Sequence, residues 1–227
     1  MRLQEVSRDA CNALKWKYKG NSYLETGKVG LAIDAYDKAL EKCDNVKQEG
    51  VILLLRASAY LQQAQAHKEV LQEAVEEWRL PEAQNIQYLL SEALLGGPER
   101  TGLASSILRR LQSDGKRQQA ELRKIQYRHG LYQYALLHAT QDSLRATELL
   151  PSYSTSWLRA GELLSQLWKL KESRQYHEKA LSLDPGLASS LAPVLEDLKH
   201  RQDLLEQARA NSEWPEDSLR LALDVAG

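Results

Sequence analysis

Small residues and prolines recur at a fixed interval along this chain, and that interval constrains the fold more than any other feature. Ala146 and Ala180 are 34 residues apart, and so are Pro151 and Pro185. An interval of this size has the length of one supersecondary unit, and chains that repeat it stack copies of that unit on one another. The sequence therefore predicts a repeat architecture.

Apolar residues recur every three to four positions through most of the chain, as they do on one face of an α-helix. Gly and Pro are sparse, at 12 and 6 of 227 residues, and fall between the periodic stretches. No sustained period-two alternation indicates strands. The predicted fold is all-α, with helices near 5–25, 29–43, 48–79, 82–95, 99–113, 116–149, 154–168, 170–183, 187–210 and 216–225.

The clearest repeated unit is WKYKGNSYLETGKVGLAIDAYDKAL, near the amino end. Gly20 and Ala32 are small where two antiparallel helices approach closely, and Gly27 suits the turn between them. The aromatic residues expected to fill the space beside them are Trp16, Tyr23 and Tyr36.

A second unit follows in SWLRAGELLSQLWKLKESRQYHEKALSLDP, where Trp157, Gly161 and Ala180 repeat the pattern. Ser173 and His177 stand where the first unit has a small residue and an aromatic ring. We expect the two units to pack alike.

With these motifs the chain resembles the tetratricopeptide repeat family, and more closely the three-motif modules of Hsp70 and Hsp90 co-chaperones. EGVILLLRASAYLQQ looks like the first helix of a middle motif, and HATQDSLRATELLPSYSTSWLRAGELL like its second helix running into the third motif. The resemblance implies a single domain over 1–227 with a stack of three motifs. Its parts are motif 1 over about 8–44, motif 2 over 48–63 and 134–150, motif 3 over 154–185 and a C-terminal cap over 187–227.

The middle motif is thus interrupted by about 70 residues, 64–133. Heptad spacing continues out of both halves, which favours two helices prolonged into a projecting antiparallel hairpin. An independent inserted domain is the alternative. The residues predicted to face each other are Leu53, Ala57, Tyr60, Ala64, His67, Leu71, Ala74 and Trp78 on one side and Leu122, Ile125, His129, Tyr132, Leu136, Ala139, Ser143, Ala146 and Leu150 on the other.

The resemblance also implies a peptide site. In the co-chaperone modules a Lys and an Asn on the first helix, an Asn on the third, and a Lys and an Arg on the fifth grip an acidic C-terminal tail. Lys17, Asn21 and Arg159 match members of this set, but Leu55 and Thr155 replace the middle Asn and the later Lys, which disfavours standard tail binding. The alternative is a set of ordinary exposed side chains. The predicted peptide-groove residues are Lys17, Asn21, Arg56 and Arg159.

No catalytic, metal or cofactor constellation is recognisable. The five histidines lack metal-ligand spacing, and His67 and His129, on the facing seams, are better explained as hydrogen-bonded core residues than as ligands. The fragment from Gly20 to Lys28 lacks the spacing and the preceding strand of a phosphate loop. We therefore expect no enzyme activity, no cofactor and no metal.

The 30 Lys and Arg residues balance 31 Asp and Glu, so no global field attracts nucleic acid or an anionic membrane. Basic pairs at Arg109-Arg110, Lys116-Arg117 and Arg123-Lys124 are interleaved with Glu and Gln, which favours a solvated face over phosphate contacts. Cys11 and Cys43 fit a reducing compartment as buried thiols. Without an apolar leader or a membrane-length apolar run, the chain is predicted to be cytoplasmic, with an organelle stroma or matrix as the alternative if a transit peptide has been removed.

The predicted function is that of a non-catalytic adaptor or scaffold. It would hold a peptide or helix of a partner protein through the concave groove lined by the first helices of each motif, through the inserted hairpin, or through both. The alternative is an Hsp70- or Hsp90-associated module whose modified clamp takes an acidic C-terminal tail. Nucleic acid is not an expected partner.

Overall fold

Seven α-helices succeed one another in the computed structural model, which describes residues 2–77 and 116–210, with side chains over 12–73, 123–203 and at 206. They are α1 (Arg2–Glu25), α2 (Val29–Glu41), α3 (Val46–Glu77), α4 (Lys116–Leu149), α5 (Ser154–Gln166), α6 (Leu170–Leu183) and α7 (Ala188–Ala210). One 3-10 turn, Pro185–Leu187, precedes α7. No strand occurs within these ranges, and the prediction of an all-α fold is confirmed.

The predicted helix ends agree with the observed ones to within three residues for all seven helices. Agreement is close because Gly, Pro and short polar runs interrupt the apolar periodicity between helices. The helices predicted over 82–95, 99–113 and 216–225 lie outside the described residues.

Each helix packs against the next one along the chain, from α1 through to α7. Short connections join most neighbours, so consecutive helices run in opposite directions and form antiparallel pairs. A continuous apolar core runs between the pairs; its buried members include Ala32, Tyr36, Ile52, Ala59, Tyr60, Tyr132, Leu136, Ala139 and Leu163. The arrangement is a helical-repeat stack.

The α1–α2 and α5–α6 pairs are held by the same contact. A Cβ atom built on Gly20 would lie 2.5 Å from Cε1 of the Tyr36 ring, and one on Gly161 would lie 2.7 Å from Cε1 of the His177 ring. In each pair a glycine on the first helix therefore receives a ring from the second. His177 takes the role of the expected aromatic ring, and the predicted likeness of the two units is confirmed.

The turns within these two pairs also match. Lys28 N donates to Tyr23 O at 2.8 Å, and Lys169 N donates to Leu164 O at 3.0 Å. The residue before each lysine has a positive φ, at Gly27 and at Trp168. Both turns therefore close by a left-handed residue, the usual way of ending a helix.

The α3–α4 pair is much longer than its neighbours, with 32 and 34 residues against 13 in α2 and in α5. Both helices run unbroken through Gln63 and Tyr134, as expected for a prolonged hairpin. At the base, a Cβ atom on Gly50 would lie 2.6 Å from Cγ of Leu150, so the Leu150 side chain packs directly on the α3 backbone there. The assignment of 64–133 as an insertion into a repeat motif stays a prediction.

The predicted seam between α3 and α4 is largely buried. Its buried members are Leu53, Ala57, Tyr60, Ala64 and Leu71 on α3 and Ile125, Tyr132, Leu136, Ala139, Ser143 and Ala146 on α4. His67 and His129 are half-buried. Ala74, Trp78 and Leu122 belong to the part of the seam whose side chains are not described.

The last helix within the described residues, α7, packs against α6 and reaches the end of α5. The Arg201 guanidinium lies 4.6 Å from the centroid of the Trp168 ring, and its Nη1 donates to Ser165 Oγ at 3.1 Å. Leu191 and Leu198 are buried. The assignment of 187–227 as a capping region stays a prediction, and residues 211–227 lie outside the described residues.

Candidate peptide-binding surface

The predicted site residues lie on the first helix of each pair: Lys17 and Asn21 on α1, Arg56 on α3 and Arg159 on α5. Among the described residues, no hydrogen bond or ion pair joins any two of these four. Each contacts different side chains, and these contacts determine what each of the four can offer a ligand.

Lys17 and Asn21 are one helical turn apart and share a face of α1. The Lys17 ammonium lies 4.9 Å from the centroid of the exposed Tyr18 ring. Within the described part of the chain it has no carboxylate partner. Lys17 can therefore bind an anion without first breaking an ion pair.

Asn21 is oriented by the second helix of its own pair, because the Tyr36 hydroxyl donates to Asn21 Oδ1 at 2.9 Å. Burial, with a smaller contribution from Glu25, raises the pKa of Tyr36 to about 12, so the hydroxyl remains a donor at neutral pH. With Oδ1 occupied, the Nδ2 amide group of Asn21 is left to donate. Asn21 is thus a positioned donor beside Lys17.

Arg159 is partly occupied by its own helix. Its Nη1 donates to Glu162 Oε2 at 2.9 Å, one turn along α5, and both side chains are partly exposed. An incoming carboxylate would compete with Glu162 for the guanidinium. The spacing of three residues between them was readable in the sequence.

The two departures from the co-chaperone pattern have structural counterparts. Leu55 is half-buried and packs against the core instead of offering a donor. Thr155 is exposed in the first turn of α5. The set of five donors implied by the resemblance is therefore incomplete at two positions.

Arg56 is the most firmly engaged of the four residues. Its Nε and Nη2 donate to the two carboxylate oxygens of Asp142 on α4, at 2.8 and 2.7 Å, and its Nη1 donates to Asp37 on α2. The Asp142 side chain is only 8% exposed and that of Arg56 21%. The guanidinium therefore joins three successive helices, and three of its five N–H donors are already engaged by these carboxylates.

Sequence reasoning did not anticipate Asp37 or Asp142 as partners of Arg56. They lie 19 and 86 residues away along the chain, and no local spacing connects them. The available signal was weak: one Asp on the predicted second helix of motif 1 and another on the predicted second helix of motif 2.

Other polar residues have structural roles. The His177 Nδ1 lies 2.8 Å from Ser173 O, and Ser173 Oγ donates to Gly161 O at 2.8 Å, so these side chains link α5 to α6. Cys43 is a free thiol, half-buried instead of buried as predicted, and burial raises its pKa, which disfavours the reactive thiolate. Within the described ranges, no three His, Cys, Asp or Glu side chains are grouped to hold a metal.

The matched glycine–ring contacts, the matched turns and the sequential packing define an all-α helical-repeat fold of the tetratricopeptide type. Residues 154–187, which cover α5, α6 and the following turn, match the family model of the tetratricopeptide repeat. No curated protein matches the chain in a sequence search. Proteins built on this repeat are generally non-catalytic modules for protein–protein interaction, and the match supports that role here. No described helix is long and apolar enough to cross a membrane.

Proposed function

We propose that this chain is a non-catalytic adaptor that holds a segment of a partner protein on the surface lined by α1, α3 and α5. The observation that carries the proposal is the repeated glycine–ring packing of α1–α2 and α5–α6, because pairs packed alike stack with their first helices side by side. Surfaces of this type bind extended peptides or helices. The match of residues 154–187 to the tetratricopeptide repeat supports the same role.

A modified clamp for acidic C-terminal tails is the second candidate. It is favoured by Lys17, which lacks a carboxylate partner among the described residues, and by the amide of Asn21 held beside it. Against it stand Leu55 and Thr155 at two donor positions, and the engagement of Arg56 by Asp37 and Asp142. A peptide bound here would depend mainly on Lys17 and Asn21, with Arg159 available after competition with Glu162.

A pull-down from source extract tests the first candidate. The bait is the intact chain, compared with a Lys17→Glu, Arg159→Glu double variant and with Lys199→Glu, an exposed lysine on α7, as the control. We expect specific partners to be lost from the double variant alone. An unchanged set of partners would remove this surface from the proposed function.

A titration separates the two candidates. The probe is a fluorescent peptide with an acidic C-terminal sequence and a free carboxylate, and its amidated form is the control. Micromolar binding that requires the free carboxylate and is lost in Lys17→Ala would favour the modified clamp. Binding that ignores the carboxylate would leave only the general adaptor role.

A further inference from the structure

One flank of the α3–α4 pair exposes large apolar side chains beyond the level of Arg56. Tyr127 and Tyr134 on α4 are 65% and 56% exposed, and Val70 on α3 is 38% exposed. Tyr127 and Tyr134 are two helical turns apart and share a face of α4, with the half-buried Leu131 between them. Exposed apolar residues that cluster in this way mark interaction surfaces.

The register of the pair places these residues in one row. Arg56 is level with Asp142, and Tyr60 is level with His138, whose ring centroid lies 5.2 Å from that of Tyr60. Continuing that register along two antiparallel helices brings Val70 level with Arg128, the residue next to Tyr127. The Tyr134 ring, 4.2 Å from the His138 ring, begins the exposed part of the row.

Helix α2 already covers the end of this flank that lies near Arg56 and Asp142. Asp37 of α2 binds Arg56 of α3, which in turn binds Asp142 of α4, so α2 lies against this flank at the level of Arg56. Asp37 is eight residues from Val29, the start of α2, and Asp142 is eight residues from Tyr134. Because α2 and α4 both run antiparallel to α3, α2 begins level with Tyr134, and no described residue covers the flank beyond that point.

The charges along the uncovered flank are divided between its two helices. Glu69 and Glu73 are exposed on α3, whereas Arg123 is exposed on α4. The pKa of His67 on α3 is lowered mainly by burial and secondly by the charge of Arg128. Arg128 of α4 therefore lies on the side facing α3. The apolar row therefore has an acidic side and a basic side.

We propose that this flank, formed by Val70, Tyr127, Leu131 and Tyr134, docks one amphipathic helix of a partner protein, laid in line with α2. The partner helix presents an apolar ridge to the tyrosines, basic side chains to Glu69 and Glu73, and acidic side chains to Arg123. The inference rests on the proposed role of holding a protein, but not on the α1, α3 and α5 surface.

The occupant is a helix for two reasons. The backbone groups of α3 and α4 are satisfied within each helix, so an extended peptide would find no unpaired edge to hydrogen-bond. In addition, the same face is occupied by a helix, α2, immediately below. From Arg123 to Tyr134 the flank extends about 17 Å, which matches about three turns of helix.

Synthetic helices test the proposal, with fluorescence anisotropy against the full chain as the readout. The matched probe is a stapled helix with a Leu ridge at i, i+4 and i+7, Lys along one side and Glu along the other. A second probe has Gln in place of the Leu ridge. A third has the same composition with Lys and Glu mixed on both sides.

We expect the matched helix to bind with micromolar affinity, the mixed helix several-fold more weakly, and the Gln helix not at all. Tyr134→Ala and Tyr127→Ala should each weaken binding by about tenfold, since each removes a large apolar contact. Tyr153→Ala, at an equally exposed tyrosine before α5, should leave it unchanged. Because Tyr127 and Tyr134 are mostly exposed, both variants are expected to fold, which circular dichroism would verify.

Three results would overturn the proposal. The first is equal binding of the matched and Gln helices, or binding that survives in both tyrosine variants. The second is loss of helix binding in Lys17→Ala, which would assign the helix to the other surface. The third is self-association of the free chain in sedimentation that Tyr127→Ala abolishes, because the flank would then belong to a second copy. If the docking proposal fails, the pull-down and the acidic-peptide titration still test the proposed function of the α1, α3 and α5 surface.

Discussion

Trp168 adopts the left-handed backbone conformation of Gly27 at the equivalent turn, with a φ of 59° against 71°. Glycine reaches this region without strain, whereas a residue with a Cβ atom is disfavoured there by roughly 1–2 kcal/mol. The α5–α6 pair therefore accepts a strained turn. The Trp168 ring that results lies beneath the Arg201 guanidinium of α7.

The first prediction concerns the free energy of unfolding of Gly27→Ala. A Cβ atom at Gly27 would meet nothing within 4 Å, so the substitution isolates the backbone cost. We expect a loss of about 1 kcal/mol in urea denaturation. Gly27→Asn should lose less, because Asn tolerates this conformation better. If both variants were as stable as the wild type, the left-handed conformation of Gly27 would be contradicted.

At Trp168 the backbone strain and the Arg201 contact oppose each other. Trp168→Gly relieves the strain but removes the ring, so its effect should be more favourable in an Arg201→Ala background than in the wild type. The expected coupling is about 0.5–1 kcal/mol, the usual contribution of a partly exposed cation–π contact. If the two substitutions change the free energy of unfolding additively, the contact between Arg201 and the Trp168 ring does not stabilise the fold.

A pair of glycine substitutions tests the helix contacts. In Gly161→Ala the new Cβ would lie 2.7 Å from the His177 ring, and overpacking of this kind costs about 1–3 kcal/mol. In Gly130→Ala, which meets nothing within 4 Å on α4, helix propensity should instead stabilise by about 0.5–1 kcal/mol. Thermal denaturation of both variants should show shifts of opposite sign; shifts of the same sign would refute the packing explanation.

Substitutions of Arg56 and of Asp37 are expected to lower the free energy of unfolding by very different amounts. Arg56→Ala leaves the buried carboxylate of Asp142 without its cation, and such losses cost about 3–5 kcal/mol. Asp37→Asn should cost much less, because Asp37 is 45% exposed and its loss still leaves the Arg56–Asp142 pair. Chemical denaturation of the two variants measures the difference, and similar losses would mean that Asp142 is not the main partner.

The stability of the fold should decrease on acidification partly through His67. In the unfolded chain its pKa is near 6.5, and in the folded chain burial and Arg128 lower it. At pH values just below 6.5 the unfolded chain therefore binds more protons, and the free energy of unfolding falls as the pH drops. His67→Gln should flatten this dependence, whereas His200→Gln, at an exposed position, should not. An unchanged slope in His67→Gln would contradict the prediction.

Local patterns predicted the helices and the turn glycine, because helix ends and turns are encoded within a few residues. They also predicted that His177 would take the aromatic position, since its spacing from Gly161 repeats that of Tyr36 from Gly20. The partners of Arg56 were not predictable, because Asp37 and Asp142 meet it only after three helices have packed. The exposed flank of Tyr127 and Tyr134 was missed for a related reason: its exposure depends on where α2 begins.

The continuity of α3 and α4 has a mechanical consequence. A helix of 32 residues is about 48 Å long, so a tilt of about 5° at the base displaces the far end by about 4 Å. The Arg56–Asp37 ion pair fixes that base to α2, and the Arg56–Asp142 and Gly50–Leu150 contacts hold α3 to the end of α4. A small change in the angle between the α3–α4 pair and the adjacent helix pairs therefore produces a larger displacement at the far end of α3 and α4.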